Sequence, residues 1–427
     1  MSDLPSHGPR PSVRLFTRAS QVVTCSGPPR ARRGEEMRDA GILIGAAVAV
    51  EGERIVAVGM QDDLERRFPT AELEDCAGGV LTPGLVDSHT HAIFGKPRFE
   101  EQEQRASGLD YMDIARRGGG IHASVRDLRQ RSEDELVALA LPRLRRLASF
   151  GATTVEVKSG YGLTVDDELK SLRAIRRLSD LTPLRLVPTF LGAHEIPMEA
   201  RASPAGRAEY VALLVSEMIP RVVEGRLARF ADVFCEPGVF TIDEARTVLL
   251  AARAAGLRLK LHADELRPSG GAELAAALGA TSADHLAAIS ESGIQALAAS
   301  QTVATLLPGT MLFLGKDRQA PARALLDGGA AVALATDFNP GTSPTPNFPL
   351  ILALAVSQLH LSVSEALLAA TVNGAAALDL AHETGQLAPG FSADLALFDI
   401  DDVRELPYWY GDRRCRATWV RGVPCAC

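Results

Sequence analysis

His89-Thr90-His91 places two imidazoles two residues apart. On an extended chain they face the same way, because side chains alternate with period 2, so one divalent ion can take both. Further along, His194, His262, His285 and Asp337 each stand at the end of a short apolar run. A single histidine at a strand end often only hydrogen-bonds a loop. Five of the nine histidines in such positions, together with a carboxylate, point to a site. Three neutral imidazoles and one carboxylate suit Zn2+ or Fe2+, with a position left open for water, and such an ion lowers the pKa of that water toward neutrality. Asp337 can touch both ion and water and take the water's proton. Glu265, three residues past His262, can carry protons to a leaving nitrogen, and His285 can hydrogen-bond an oxyanion formed on a carbonyl. The set suits hydrolysis or deamination at a C–N bond.

The elements that must gather these residues follow one grammar: an apolar run of strand length, a polar tip, then a helical stretch. The runs are Val80 to His91, Thr153 to Gly160, Leu184 to His194, Ala231 to Pro237, Leu257 to Asp264, Thr281 to His285, Thr302 to Pro308 and Ala331 to Phe338. Near-continuous apolar strands alternating with helices indicate a parallel sheet covered on both faces, and eight units fit a closed (β/α)8 barrel with its active site at the C-terminal strand ends. Ser132 with Glu135 forms a capping box for one helix, and Thr164 with Asp167 can start the next. The two ends of the chain read as short strands and turns. The expected fold class is therefore α/β: a TIM-like barrel over residues 80–380, with a small β domain built from residues 1–79 and 381–427.

Composition narrows the partners. With 427 residues, 46% hydrophobic and 23% charged, the chain has the make-up of an ordinary globular protein. A net charge of −8 argues against nucleic acid, and the arginines of Arg30 to Arg33 and Arg143 to Arg146 read as solvated surface. The longest apolar run, Gly41 to Val50, is about half a membrane span. No secretory signal and no paired-cysteine framework is visible, so a cytoplasmic location is expected, with the two cysteines of Cys425-Ala-Cys427 as free thiols. A small molecule is the expected partner, and a homodimer is compatible with the barrel. The first thirty-five residues read as partly disordered.

Five segments carry a resemblance: Asp87-Ser88-His89-Thr90-His91, Lys158-Ser159-Gly160-Tyr161-Gly162-Leu163, Thr189 to His194, His262-Ala263-Asp264-Glu265, and Ala335-Thr336-Asp337-Phe338-Asn339-Pro340-Gly341. Across nearly its full length the chain resembles the imidazolonepropionase family of the metal-dependent amidohydrolase superfamily. The resemblance implies one Zn2+ or Fe2+ held by His89, His91, His262 and Asp337. It also implies hydrolytic opening of 4-imidazolone-5-propanoate to N-formimidoyl-L-glutamate, a step of histidine degradation. The chemistry of the residues agrees, since that substrate is a cyclic amide. Binuclear relatives carry a bridging lysine at the end of strand 4, where this chain has Phe234-Cys235-Glu236-Pro237, which favours one metal. Arg98 matches the family's substrate arginine, whose guanidinium fork can hold the propionate. Tyr161 and His194 match its pocket, and Asn339, Gly341 and Thr342 its product-binding loop; Glu265 can serve as proton shuttle, as a substrate contact that orients the ring, or as both.

Two rival readings remain. A nucleobase-type deaminase would use the same metal with His262, Glu265, His285 and Asp337, but has no need of Arg98, Tyr161 and His194. A non-catalytic scaffold on the same barrel would be expected to have lost metal ligands, and here all four are present. Gly118-Gly119-Gly120 reads as a flexible connection. His7, His122, His360 and His382 have no assigned role and are expected at the surface or satisfied in the interior.

Overall fold

A computed structural model of the chain describes residues 12–109, 113–114, 118–201 and 203–425. The eight expected runs yield eight parallel strands: β1 (Leu85–Asp87), β2 (Ala152–Lys158), β3 (Arg185–Ala193), β4 (Phe230–Cys235), β5 (Arg258–Ala263), β6 (Ser282–His285), β7 (Val303–Leu306) and β8 (Ala331–Leu334). Each pairs with the next in chain order. The ring closes beyond the ends of its first and last strands. There His91 N donates to Phe338 O (2.9 Å) and Asp337 N donates to His89 O (3.0 Å), while the Asp87 carboxylate accepts from Thr336 N and Oγ1 (3.0 and 2.6 Å).

Alternation along the strands divides the interior in two. In β5, Leu259, Leu261 and Ala263 join the main core under the helices, as do Val155 and Val157 of β2 and Ala231 and Val233 of β4. The intervening positions face the barrel axis and carry Glu156, Lys158, Asp232, Lys260, His262 and Asp284, all buried. A barrel of this kind is ordinarily filled by branched apolar side chains; this one has ionised groups across its middle. Phe230 closes the far end with Val86, Val187, Leu378 and Leu380.

The helices begin where local chemistry lets them. Helix α1 (Ile121–Arg129) follows Gly120, whose φ of +68° suits glycine. Helix α2 (Glu133–Ala148) starts with the expected Ser132/Glu135 capping box, and α3 (Val165–Ser179) with Thr164 Oγ1 accepting from Asp167 N.

The two chain ends meet in one sheet, in the order Val423–Pro424, Cys415–Val420, Leu395–Phe398, Val80–Pro83, Gln21–Val23, Ile42–Leu43. A second sheet holds Arg54–Met60, Ala46–Glu51, Val13–Thr17 and Glu72–Asp75. Between them lies a separate apolar core in which Phe16 meets Trp419 edge-on at 4.9 Å.

Three expectations need correction. The run from Val80 to His91 is two elements: Val80–Pro83 pairs with Leu395–Phe398 in the outer sheet, and Leu85–Asp87 with β2 in the barrel. The break falls at Gly84, where a Cβ would run into the Thr153 side chain. The arginine clusters are not merely solvated. Arg32 is buried with its N–H on Asn373 Oδ1 (2.7 Å), and Arg143 donates to Phe94 O and Gly95 O (2.5 and 2.8 Å) with its guanidinium 3.5 Å from the Phe94 ring. Within the first thirty-five residues, Val13–Thr17 and Gln21–Val23 are paired strands; residues 1–11, including His7, and Cys427 of the expected thiol tail lie outside the described residues. Among the described residues no helix is long and apolar enough to cross a membrane.

Candidate active site

The hydrogen bonds that close the barrel also set its chemistry, since they run through the backbones of His89, His91 and Asp337. His89 Nδ1 donates to Asp284 Oδ2 (2.7 Å), which leaves Nε2 without a proton and facing inward. His262 Nδ1 lies 3.0 Å from Asp232 Oδ2, and its Nε2 faces the other two imidazoles. The Nε2 atoms of His89 and His262 stand 3.3 and 3.4 Å from His91 Nε2. Asp337 Oδ1 is 3.6 and 3.5 Å from the His89 and His91 nitrogens, and its Oδ2 accepts from Thr310 Oγ1 (2.6 Å). Burial, reinforced by neighbouring cations, holds His89 and His91 well below the ordinary histidine range. Burial also pushes Asp337 up to about 6. Neutral imidazole lone pairs converging with a carboxylate oxygen repel one another unless a cation sits among them, so these donors fit a divalent metal. The ligand atoms of His89, His91 and His262 all lie within 4.8 Å of one another, as do those of His89, His285 and Asp337.

Beneath the four expected ligands lies a layer that sequence reasoning missed. Lys158 Nζ bonds Asp232 Oδ2 (2.7 Å) and lies 2.9 Å from Glu156 Oε2; Lys260 Nζ donates to Glu156 Oε2 (2.9 Å) and Ser88 O (2.8 Å). Burial disfavours the Lys158 ammonium, but Asp232, Glu156 and Asp284 outweigh it and hold its pKa above the ordinary lysine value. Asp232 is likewise favoured by burial toward its neutral form, yet His262 and Lys158 keep it well below the usual carboxylate range. Asp284 is less well compensated. Burial leaves its carboxyl raised, with the two ammoniums at 3.6 and 3.8 Å from Oδ2 and no hydrogen-bond partner for Oδ1 among the described residues. Lys158 is thus committed below the site. The signal in the sequence was a charged residue at an inward position of an otherwise apolar strand, as in Leu259-Lys260-Leu261-His262.

Above the metal donors, two acids shape the loop after β5. Glu236 accepts from the backbone N–H groups of Glu265, Leu266 and Arg267 (3.2, 3.3 and 2.9 Å), and Asp264 accepts from Ser269, Gly270 and Ala272. This aims Glu265 at His285, whose Nε2 is 3.7 Å from Oε2. Burial, with Asp337 and Glu236 adding to it, raises Glu265 well above the usual carboxylate range, which favours its protonated form. His285 and Leu286 have φ of +81° and +63°, a left-handed step that non-glycine residues adopt at a cost of about 1–2 kcal/mol each and that turns the His285 ring into the cavity.

The Lys158-to-Leu163 segment is fixed by Glu168, which accepts from Gly160, Gly162 and Leu163 N–H (3.0, 2.8 and 2.9 Å). Gly160 O receives His194 Nδ1 (2.9 Å). The His194 ring stacks on His91 at 4.9 Å and 17°, and Tyr161 lies 5.3 Å from it. Burial lowers His194 to about 3. Arg98 is seated by its backbone N–H on Pro340 O (3.0 Å) and lies 3.4 Å from Glu101; its Nε and Nη1 have no hydrogen-bond partner among the described residues. A Cβ on Gly341 would overlap that guanidinium.

One cavity of about 1070 Å3 is lined by His91, His262, Asp337, Glu265, His285, Arg98, Tyr161, His194, Asn339 and Thr342. Gly341 is not part of the wall; it makes room for Arg98. Asn339 lines the cavity, but its amide is used on its own loop, donating to Asp337 O and Thr342 Oγ1 and accepting from Gly341 and Thr342 N–H. His360 and His382 are exposed, as expected. His122 departs from expectation: it is buried on the cavity wall, and its Nε2 has no partner among the described residues.

Comparison with known proteins agrees with this architecture. Residues 112–426 match the Amidohydrolase family, and residues 46–71 match the bacterial imidazolonepropionase-like composite domain. The imidazolonepropionase of Geobacillus kaustophilus is 47% identical, covering 93% of this chain and 94% of its own length. That of Symbiobacterium thermophilum is 48% identical, with 94% of each covered. Among solved structures, a zinc-bound adenosine deaminase from Xanthomonas campestris superposes with a TM-score of 0.72 at 20% identity, over 98% of this chain and 93% of that one. The zinc complex of atrazine chlorohydrolase from Arthrobacter aurescens gives 0.68 at 18%, over 96% and 94%; at these identities the likeness is one of fold. With two full-length relatives near half identity, the chain belongs to the imidazolonepropionase family of amidohydrolases.

Proposed function

We propose that the chain hydrolyses 4-imidazolone-5-propanoate to N-formimidoyl-L-glutamate, the ring-opening step of histidine degradation, with one divalent metal, Zn2+ or Fe2+, held by His89, His91, His262 and Asp337. The observation that carries this reading is the meeting, in a single cavity, of the convergent metal donors with Arg98, a buried guanidinium whose Nε and Nη1 have no hydrogen-bond partner among the described residues. Glu101 lies against one side of that cation, and a propionate tail offers a second acceptor that a neutral base lacks. When bound, the metal supplies Lewis acidity that brings the pKa of a water toward neutrality.

The residues then divide the work. Arg98 holds the tail, and Tyr161 and His194 flank the ring. Asp337, anchored by Thr310, takes the proton of the attacking water as its oxygen adds to the ring carbonyl carbon. His285 faces the oxyanion. Glu265 gives its proton to the ring nitrogen as the C–N bond breaks; the former carbonyl carbon becomes a carboxylate and the nitrogen ends in the formimidoyl group. Asn339 shapes the loop that carries Thr342 and seats Gly341 under Arg98. Such an enzyme is expected to act in the cytoplasm. The test is turnover of freshly generated 4-imidazolone-5-propanoate by metal-analysed protein, followed as loss of ultraviolet absorbance. Turnover abolished by chelation and restored by metal is expected; a fully loaded protein that leaves the substrate intact overturns the assignment.

A further inference from the structure

We propose that the start of helix α1 is a second contact for the substrate's carboxylate, with His122 Nε2 as hydrogen-bond donor on the same cavity wall as Arg98, so that the tail is held from two sides. The inference rests on the substrate reading above, and its observations are local. Gly119, Ile121 and His122 all line the cavity that holds Arg98. Helix α1 has no side-chain cap from its N-cap residue and no acidic residue in its first turn, and a helix start of this kind favours an anion. Glu101 joins the two halves: its Oε1 accepts from Gly120 N (2.7 Å) and lies 3.4 Å from Arg98 Nε. His122 itself is 7% exposed, yet its Nε2 has no partner among the described residues, an arrangement that costs free energy unless something bonds to it.

The charges around it favour an anion. Arg129 pairs with Glu199 (2.8 Å), Arg201 with Glu195 (2.5 Å) and Arg98 with Glu101, whereas Arg126 donates to Gly118 O and, among the described residues, meets no carboxylate. One cation is left over. Burial, with Arg201 and Arg126 adding to it, lowers His122 to about 4, so the imidazole is neutral at pH 7 and carries a single N–H; the contact requires that hydrogen on Nε2. The triple glycine then has a purpose. It brings the chain round tightly enough to present a helix start to the pocket, and Gly119 is packed against Ile114 and Glu101 too closely for a Cβ.

The test compares two probes on the metal-loaded protein by calorimetry: 3-(imidazol-4-yl)propanoate and its uncharged amide. For His122→Ala, the carboxylate is expected to bind roughly 10- to 100-fold more weakly, the range of a hydrogen bond to a charged group, with the amide shifted much less. In turnover the effect falls on KM more than on kcat. His122→Gln, which restores a donor, should recover much of the loss. Equal weakening of both probes, no weakening of either, or loss of bound metal in His122→Ala overturns the proposal. Because the probe pair reads binding alone, it decides the role of His122 even if the wild-type protein fails to turn over the imidazolone.

Discussion

Replacing Asp284 with Asn tests whether the buried carboxylates set the metal donors. Asp284 Oδ2 receives His89 Nδ1 at 2.7 Å, and neither side chain is exposed to solvent. The amide keeps size and an acceptor oxygen but removes the charge. A hydrogen bond to a charged group contributes about 1.5–3 kcal/mol and a neutral one about 0.5–1.5 kcal/mol. The difference, on the order of 1–1.5 kcal/mol, corresponds to roughly tenfold in an equilibrium constant. That sits at the lower end of the roughly 10- to 100-fold by which partners of ligating histidines tune affinity. Metal affinity, read by competition with a chromophoric chelator, should fall by about tenfold or more, while the number of ions bound stays at one. At saturating metal most of the turnover should return. An unchanged affinity would refute the reasoning and leave Asp284 as no more than a counter-charge for Lys158 and Lys260.

Other outcomes follow from the same geometry. Asp337→Asn should abolish turnover, since it removes the acceptor for the water's proton; near-normal kcat would rule out that role. Gly341→Ala should displace the Arg98 guanidinium and raise KM about as much as Arg98→Ala does, and the double variant should be little worse than either alone, because both act on one contact; additive effects in steady-state kinetics would separate them. Lys260→Met leaves Glu156 and Asp284 with only the Lys158 ammonium, already bonded to Asp232, and should lower the unfolding free energy of metal-free protein by about 3–5 kcal/mol in denaturant titration.

The sequence made the barrel legible because strands covered on both faces need nearly continuous apolar runs, and β4, interrupted only by Asp232, and β8 have them. The metal donors were legible for a related reason: a histidine or aspartate where such a run stops is conspicuous. The layer beneath was not. Lys260 and Asp232 lie within the runs, where a charge reads as an interruption, and only pairing across β2, β4, β5 and β6 reveals Glu156, Lys158, Asp232, Lys260 and Asp284 as one network. The break between outer sheet and barrel was carried only by Pro83-Gly84, a turn dipeptide lying inside a run of strand-forming residues, and the close packing of Gly84 on Thr153 fixes where the sheet changes. His122 was passed over because nothing near it in sequence signals that the triple glycine turns a helix start toward the pocket.

The first and last barrel strands meet through Asp87 and Thr336, 249 positions apart along the chain. Joining points so distant costs conformational entropy that nearby pairings do not incur, and contacts of this span form late in folding. The catalytic geometry therefore exists only once the chain has come full circle. A nascent chain still without β8 lacks both Asp337 and the backbone bonds that seat His89 and His91, and so has no means of premature hydrolysis. The same seam makes activity a sensitive reporter of closure: local opening there silences the enzyme while the rest of the barrel still gives the spectroscopic signature of a folded protein.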